Sequence, residues 1–180
     1  YKRQLLARPW LEQGLQAGIP AGTVLLLVDG GSSVNVVKDL KGLPYGAKED
    51  STASINVGNP DAPVQVESEV HLVFPLYPVE GFLLVALPSA PWSHAPGMAV
   101  NILSEGVFLD YHDIQFDKCA MLARSPDGKT AQMYRVGELF YVLGVRKSEC
   151  PAAYTAAVDD VKARHALLWH SRLGGLSKDQ

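Results

Sequence analysis

The chain has 180 residues, 47% of them hydrophobic and 19% charged, with a formal net charge of −3. This is ordinary globular composition, enough for one domain plus an appendage, and the negative balance excludes a nucleic-acid-binding surface spread over the whole domain. No apolar run approaches the roughly 20 residues that cross a bilayer, so no membrane segment is expected.

Tyr1–Pro20 carries early charges at Lys2, Arg3 and Arg8 and the breakers Pro9, Gly14, Gly18 and Pro20, which predicts a solvated lead-in. It lacks a signal-peptide layout, and a first residue of Tyr1 reads as the start of a piece of something longer. Thr23–Val28 is the purest apolar run and does not alternate, so a strand buried on both faces is expected. It breaks into Asp29-Gly-Gly-Ser-Ser33, a turn composition, before Val34–Val37 resumes as a short strand.

Ala53–Val57 alternates, and Gly58-Asn-Pro-Asp61 is a turn signal. Val64, Val66, Ser68, Val70, Leu72 and Phe74 then face one way and Gln65, Glu67, Glu69 and His71 the other, so the two runs predict a β-hairpin. The proline-rich stretch Pro75–Pro96 holds one strand, Phe82–Leu87, and Ala99–Leu103 is another. Val107–Tyr111 predicts one or two helical turns. Short strands are expected at Ile114–Phe116, Cys119–Ala123, Ala131–Arg135 and Leu139–Leu143, with Ser125-Pro-Asp-Gly-Lys129 as a turn between two of them. In the tail, Tyr154, Ala157, Val158, Val161 and Leu168 recur at helical spacing from Pro151 to about His170, closed by Gly174-Gly175.

Asp29 stands where a buried strand breaks into a Gly-Gly-Ser turn. A carboxylate there is costly to bury unless it is hydrogen-bonded or paired, and the two glycines let the backbone approach closely. On the tetrapeptide alone, a plain β-turn aspartate capping its own loop is the commoner reading. No Ser/His/Asp arrangement competes, since Ser32, Ser33, His71, His94 and His112 are scattered and no nucleophile elbow is present. Gly30-Gly31 does not open a long helix, so no phosphate-binding loop is read. Cys119 and Cys150 lack metal-ligand spacing and read as two reduced thiols in a cytosolic setting.

Three blocks in order carry a family resemblance. Leu26-Leu-Val-Asp-Gly-Gly-Ser-Ser33 resembles the hydrophobic–hydrophobic–Asp–Ser/Thr–Gly–Ala/Ser loop of retroviral and retrotransposon proteases. Pro96-Gly-Met-Ala-Val-Asn-Ile-Leu-Ser104, with Gly106-Val-Phe-Leu109 and Asp113-Ile-Gln-Phe-Asp117, resembles the Pro-Gly-x-x-x-Asn-Leu-Leu-Ser block, short helix and Phe-Asp strand of copia-type elements. Gly137-Glu-Leu-Phe-Tyr-Val-Leu143 and Leu167-Leu-Trp-His-Ser-Arg-Leu-Gly174 are similar to the copia pre-integrase segment. The chain thus resembles a copia-type LTR retrotransposon polyprotein, from its retropepsin-like aspartic protease into the pre-integrase segment.

The resemblance implies that Asp29 is the catalytic aspartate, in an active-site loop with Gly30, Gly31 and Ser32. One such motif per chain implies a homodimer whose two aspartates share a proton. Asn101, Ile102, Leu103 and Ser104 would support that loop from beneath. The Ala53–Phe74 hairpin would be a flap, with Val57, Gly58, Asn59 and Pro60 touching substrate at its tip, although an ordinary sheet hairpin is an open alternative. Two positions depart from the family. Gly30 replaces a Ser or Thr whose hydroxyl joins the two loops across the dimer, and Gly175 replaces a zinc-ligand histidine. With no Cys-x-x-Cys following, and with His165 and His170 read as solvent-facing or packing residues, no metal and no cofactor are expected.

The expected architecture is mainly β: lead-in 1–19, a retropepsin-like closed β domain with a flap hairpin and one short helix at 20–123, and a β-hairpin and helical extension at 124–180. The implied function is aspartic-type endoproteolysis of a Gag-Pol polyprotein in the cytoplasm, with virus-like particles as one setting. The implied partners are a second copy and the polyprotein or peptide substrate, with no membrane and no direct nucleic-acid contact. The alternative is a catalytically silent, dimeric peptide-binding or assembly module of the same fold, and a third is an unrelated β-rich interaction protein.

Overall fold

The apolar run at 23–28 forms a strand, β1 (Thr23–Asp29), buried from Val24 to Val28. Its failure to alternate has a simple origin, because both of its faces meet a core. Val24, Leu26 and Val28 pack with Trp92, Leu103 and Phe108, whereas Leu25 and Leu27 pack with Val36, Ile102 and Leu143. A strand with two buried faces has no polar side to show. The structure, a computed structural model, describes residues 22–41, 43, 45–56, 61–76, 83–86 and 92–145.

The strands that follow are β2 (Asn35–Val37), β3 (Tyr45–Asp50), β4 (Ser54–Ile55), β5 (Val64–Gln65), β6 (Ser68–Leu76), β7 (Leu83–Ala86), β8 (Trp92–His94) and β9 (Asn101–Ser104). Helix α1 (Glu105–His112) comes next, then β10 (Gln115–Asp117), β11 (Leu122–Arg124), β12 (Thr130–Val136) and β13 (Leu139–Val145). The described residues are therefore mainly β with one short helix. An 11-stranded mixed sheet runs β10-β11-β12-β13-β1-β9-β2-β8-β6-β3, with β7 on β6, and β4 and β5 form a separate pair. No helix among the described residues is long and apolar enough to cross a membrane.

The closed β domain expected from the resemblance is corrected here to an open sheet. Only one residue pair, Gly144↔Leu76, bridges β13 to β6. On that edge of β13, β12 already pairs from Leu139 to Val142, so the bridge cannot extend into a ladder along β13 in that direction. β7 lies on the opposite edge of β6, where Leu83 pairs with the same Leu76. The β12–β13 hairpin, which the sequence places in an extension beyond residue 123, is part of this same sheet. β13 is the antiparallel neighbour of β1, paired from Thr23↔Val145 to Val28↔Phe140.

Other differences have local causes. Tyr45–Asp50 and Trp92–His94 were not expected as strands. The first lacks alternation and is ordered by pairing with β6; the second is flanked by Pro91 and Pro96 and lies between β2 and β6. The run from Val64 to Phe74 is split, since Val66 N donates to Ala53 O at 3.0 Å while Glu67 N donates to His94 O at 2.9 Å. The strand expected from Cys119 starts only at Leu122. Asp117 Oδ1 accepts from Cys119 N at 3.1 Å and Ala120 N at 2.8 Å and turns the chain there. The helical tail expected at 151–170 lies outside the described residues.

α1 is fixed at both ends. Ser104 is its N-cap and Glu105 puts a carboxylate in the first turn. Asp113 closes it in the left-handed region (φ 52°), donating its N–H to Leu109 O. Phe108 anchors the helix, fully buried and edge-on to Trp92 with centroids 6.3 Å apart.

Candidate active site

β1 and β2 are joined by Gly30–Val34 but are not neighbours. β9 lies between them, parallel to β1 and antiparallel to β2. The connection must span two strand spacings, roughly 9–10 Å, and it passes over the carboxyl end of β9. Asp29 therefore ends its strand directly opposite Ser104.

The loop is fastened from beneath. Ser104 is fully buried; its Oγ donates to Ser32 O at 2.5 Å and accepts from Val107 N at 3.3 Å. A single hydroxyl thus holds the loop above and caps α1 below. Asn35 Oδ1 accepts from Ser104 N at 2.8 Å. At the other end of β9, Asn101 donates Nδ2 to Leu25 O at 3.0 Å and accepts from Lys38 N at 2.9 Å, tying β1 to β2 across β9. Asn35 is 1% exposed, and its Nδ2 has no hydrogen-bond partner among the described residues. Such an atom costs about 1–3 kcal/mol, so an apolar residue would suit stability better and Asn35 is explained by what its Oδ1 holds.

Asp29 is half-buried, while Gly30 and Gly31 are exposed. Asp29 Oδ1 accepts from Gly31 N at 2.8 Å, the Asx-type bond that turns the chain. Ser32 Oγ donates to Val34 O at 2.7 Å. Beside the loop lies a cleft of about 100 Å³ whose walls include Asp29, Gly30, Lys118, Glu138, Leu139 and Phe140. A Cβ on Gly30 would lie 3.1 Å from Glu105 Oε2, and that oxygen is 2.6 Å from Lys118 Nζ. The space of a residue-30 side chain is held by another residue's carboxylate.

The expected loop residues Asp29, Gly30, Gly31 and Ser32 and the block Asn101–Ser104 thus come together. Ile102 pairs with Leu27 on one side and Val36 on the other, and Leu103 is fully buried. Val57, Gly58, Asn59 and Pro60 lie outside the described residues. The arms of that hairpin are β4–β5 and β3–β6, joined by Ser51 N donating to Glu67 O at 3.2 Å. Ile55 and Val64 pack on the cluster that holds Leu27, Met98 and Ile102. Cys119 is an exposed free thiol; Cys150, His165, His170 and Gly175 lie outside the described residues. Among the described residues no group of three or more His, Cys, Asp or Glu could hold a metal ion.

Asn35, Glu105, Lys118, Glu138 and Phe140 were not singled out from the sequence. Asn35 carried a signal, as a polar residue at the head of an apolar strand just after the loop. The others carried none, because they reach the site only through the fold. No family model, no curated protein and no solved structure matches this chain.

Proposed function

We propose that the chain is the aspartic endopeptidase of a copia-type retrotransposon Gag-Pol polyprotein, active as a homodimer with one Asp29 from each subunit. What carries this reading is the placement of Asp29 at the end of a doubly buried strand, on a loop that crosses β9 and is fastened to it by Ser104 and Asn35. A turn aspartate serving only its own loop needs no such foundation. The cleft beside Asp29 and the exposed Val34 in the same loop support a surface at which a second copy and a peptide meet.

Two carboxylates brought together share one proton. One Asp29 takes a proton from water as its oxygen attacks the scissile carbonyl, while the protonated partner donates a hydrogen bond to the carbonyl oxygen. The tetrahedral intermediate collapses as the amide nitrogen is protonated, the C–N bond breaks, and the pair is left sharing a proton again. Residues beneath the loop act by holding the two carboxylates in place.

Asp29→Asn tests the reading. The amide is nearly isosteric but cannot accept the water's proton, so peptide cleavage is expected to vanish while the circular dichroism spectrum is retained. Cleavage by purified Asp29→Asn at the wild-type rate would end the proposal. Gly30 favours one second reading, a catalytically silent peptide-binding or assembly module, for which the wild type would also fail to cleave.

A further inference from the structure

We infer that the cleft beside Asp29 is a side-chain subsite that selects a basic residue of an extended peptide, and that Glu138 sets this choice. The inference deepens the endopeptidase reading and rests on it for the choice of a peptide as ligand. At about 100 Å³ the cleft is well below the roughly 300–1,000 Å³ of sites that swallow a whole small molecule. It has room for one side chain of a longer ligand.

Its chemistry follows from its walls. Leu139 and Phe140 supply a partly buried apolar surface. Three charged side chains line it, Asp29, Lys118 and Glu138. Lys118 is already engaged, with Nζ 2.6 Å from Glu105 Oε2 and 5.7 Å from the centre of the Phe140 ring. Arg135 also lies over that ring, at 5.6 Å, and its Nε donates to Gly137 O at 2.8 Å. Glu138 is exposed at the tip of the β12–β13 turn and has no ion-pair or hydrogen-bond partner among the described residues. The uncompensated charge at the mouth is therefore negative. A lysine or arginine fits such a site, laying its aliphatic stem on Leu139 and Phe140 with its cationic head at Glu138. An acidic side chain would meet two carboxylates, and rejection of that kind contributes to specificity as much as attraction does.

The wall that selects the side chain belongs to the hairpin at 130–145, not to the segment that carries Asp29. The two are joined because β13 lies against β1, bringing Phe140 opposite Val28.

The test measures binding, so that it does not depend on turnover. Three reduced-amide hexapeptides, alike except for lysine, norleucine or glutamate beside the reduced bond, are titrated calorimetrically into the full chain and into Glu138→Lys. Glu138 sits in an exposed turn, and retention of fold in the variant is checked by circular dichroism. The wild type is expected to bind the lysine peptide about tenfold or more tighter than the glutamate peptide, with the gap shrinking in high salt. Glu138→Lys is expected to reverse the order. The same order in both proteins, a preference for glutamate in the wild type, or no binding of any of the three overturns the inference. Charge-dependent binding without any Asp29-dependent cleavage leaves the subsite standing and removes the endopeptidase reading instead.

Discussion

Two turns in this chain are built from nearly the same residues, Asp29-Gly-Gly-Ser-Ser33 and Ser125-Pro-Asp-Gly-Lys129. In the second every bond is local. Ser125 Oγ donates to Asp127 Oδ1 and accepts from Lys129 N, Gly128 N donates to Ser125 O at 3.0 Å, and Lys129 Nζ pairs with Asp127 Oδ2 at 3.0 Å. In the first, Asp29 and Ser32 close the turn locally, but the loop is held by Ser104, 72 residues away, and its flank is filled by Glu105. Composition does not separate a plain turn from a candidate catalytic loop. What separates them is whether distant parts of the chain are arranged to hold the loop.

The largest test of that dependence is to remove β12 and β13. A chain stopped after residue 123 leaves β1 without its antiparallel partner along Thr23–Val28 and deletes Met133, Tyr141, Val142 and Leu143, all at most 1% exposed. Each large core side chain lost costs about 2–5 kcal/mol against a total stability of roughly 5–15 kcal/mol. The shortened chain is expected to show no cooperative thermal transition where the full chain shows one. A cooperative transition in the shortened chain would mean that the hairpin is an appendage after all.

Next in size is the contrast between two serines. Ser104→Ala removes the bond to Ser32 O and the cap of α1, and is expected to cost about 1–3 kcal/mol in denaturant unfolding. Ser125→Ala, at an exposed local turn, is expected to stay within about 0.5 kcal/mol. Equal effects would erase the distinction between the two turns.

The glycines sharpen it further. Gly128 has φ 82°, a conformation that strains any side chain, so Gly128→Ala is expected to cost about 1–2 kcal/mol. Gly30 is not among the positive-φ glycines; its obstacle is the Glu105 carboxylate, 3.1 Å from the added Cβ. That carboxylate can swing away, so Gly30→Ala is expected to cost less than about 0.5 kcal/mol. With Glu105→Ala as background, Gly30→Thr regains a hydroxyl in the loop. Sedimentation over a dilution series is then expected to show self-association tightened by about tenfold, each new cross-subunit bond being made twice. Weaker association would show that the loops meet in some other way.

The sequence displayed what is local. Thr23–Val28 announced a doubly buried strand, the alternation from Val64 announced a strand with one face inward, and the Asp29 and Asn101–Ser104 blocks were visible as motifs. It hid what is assembled. Tyr45–Asp50 and Trp92–His94 become strands only because β6 and β2 pair with them. Lys118 and Glu138 carry no sign of belonging near Asp29, being respectively in a turn after β10 and in the turn before β13. The pairing of β13 with β1 was hidden for the same reason, since nothing in Leu139–Val145 states which strand it will lie beside.

The smallest expected effect lies in the local turn and concerns acid. Hydrogen bonding from Ser125, and then from Lys129, holds the Asp127 carboxyl below the ordinary carboxylate range. A folded-state value below the unfolded one means that the ionised form is favoured in the folded protein. The resulting stability is present above the unfolded value, roughly pH 4, and is lost as pH falls through the folded one. Asp127 is exposed and screened by solvent, so Asp127→Asn is expected to change stability at neutral pH by no more than a few tenths of a kcal/mol. The direct readout is the carbon-13 titration of the carboxyl itself. Its midpoint is expected below that of aspartate in an unstructured peptide, and Ser125→Ala is expected to move it up, because the hydroxyl is the largest contributor. Ser104→Ala is expected to leave it where it is. A midpoint that follows Ser104 rather than Ser125 would mean that this turn too leans on distant structure, and that the two loops differ less than their hydrogen bonds indicate.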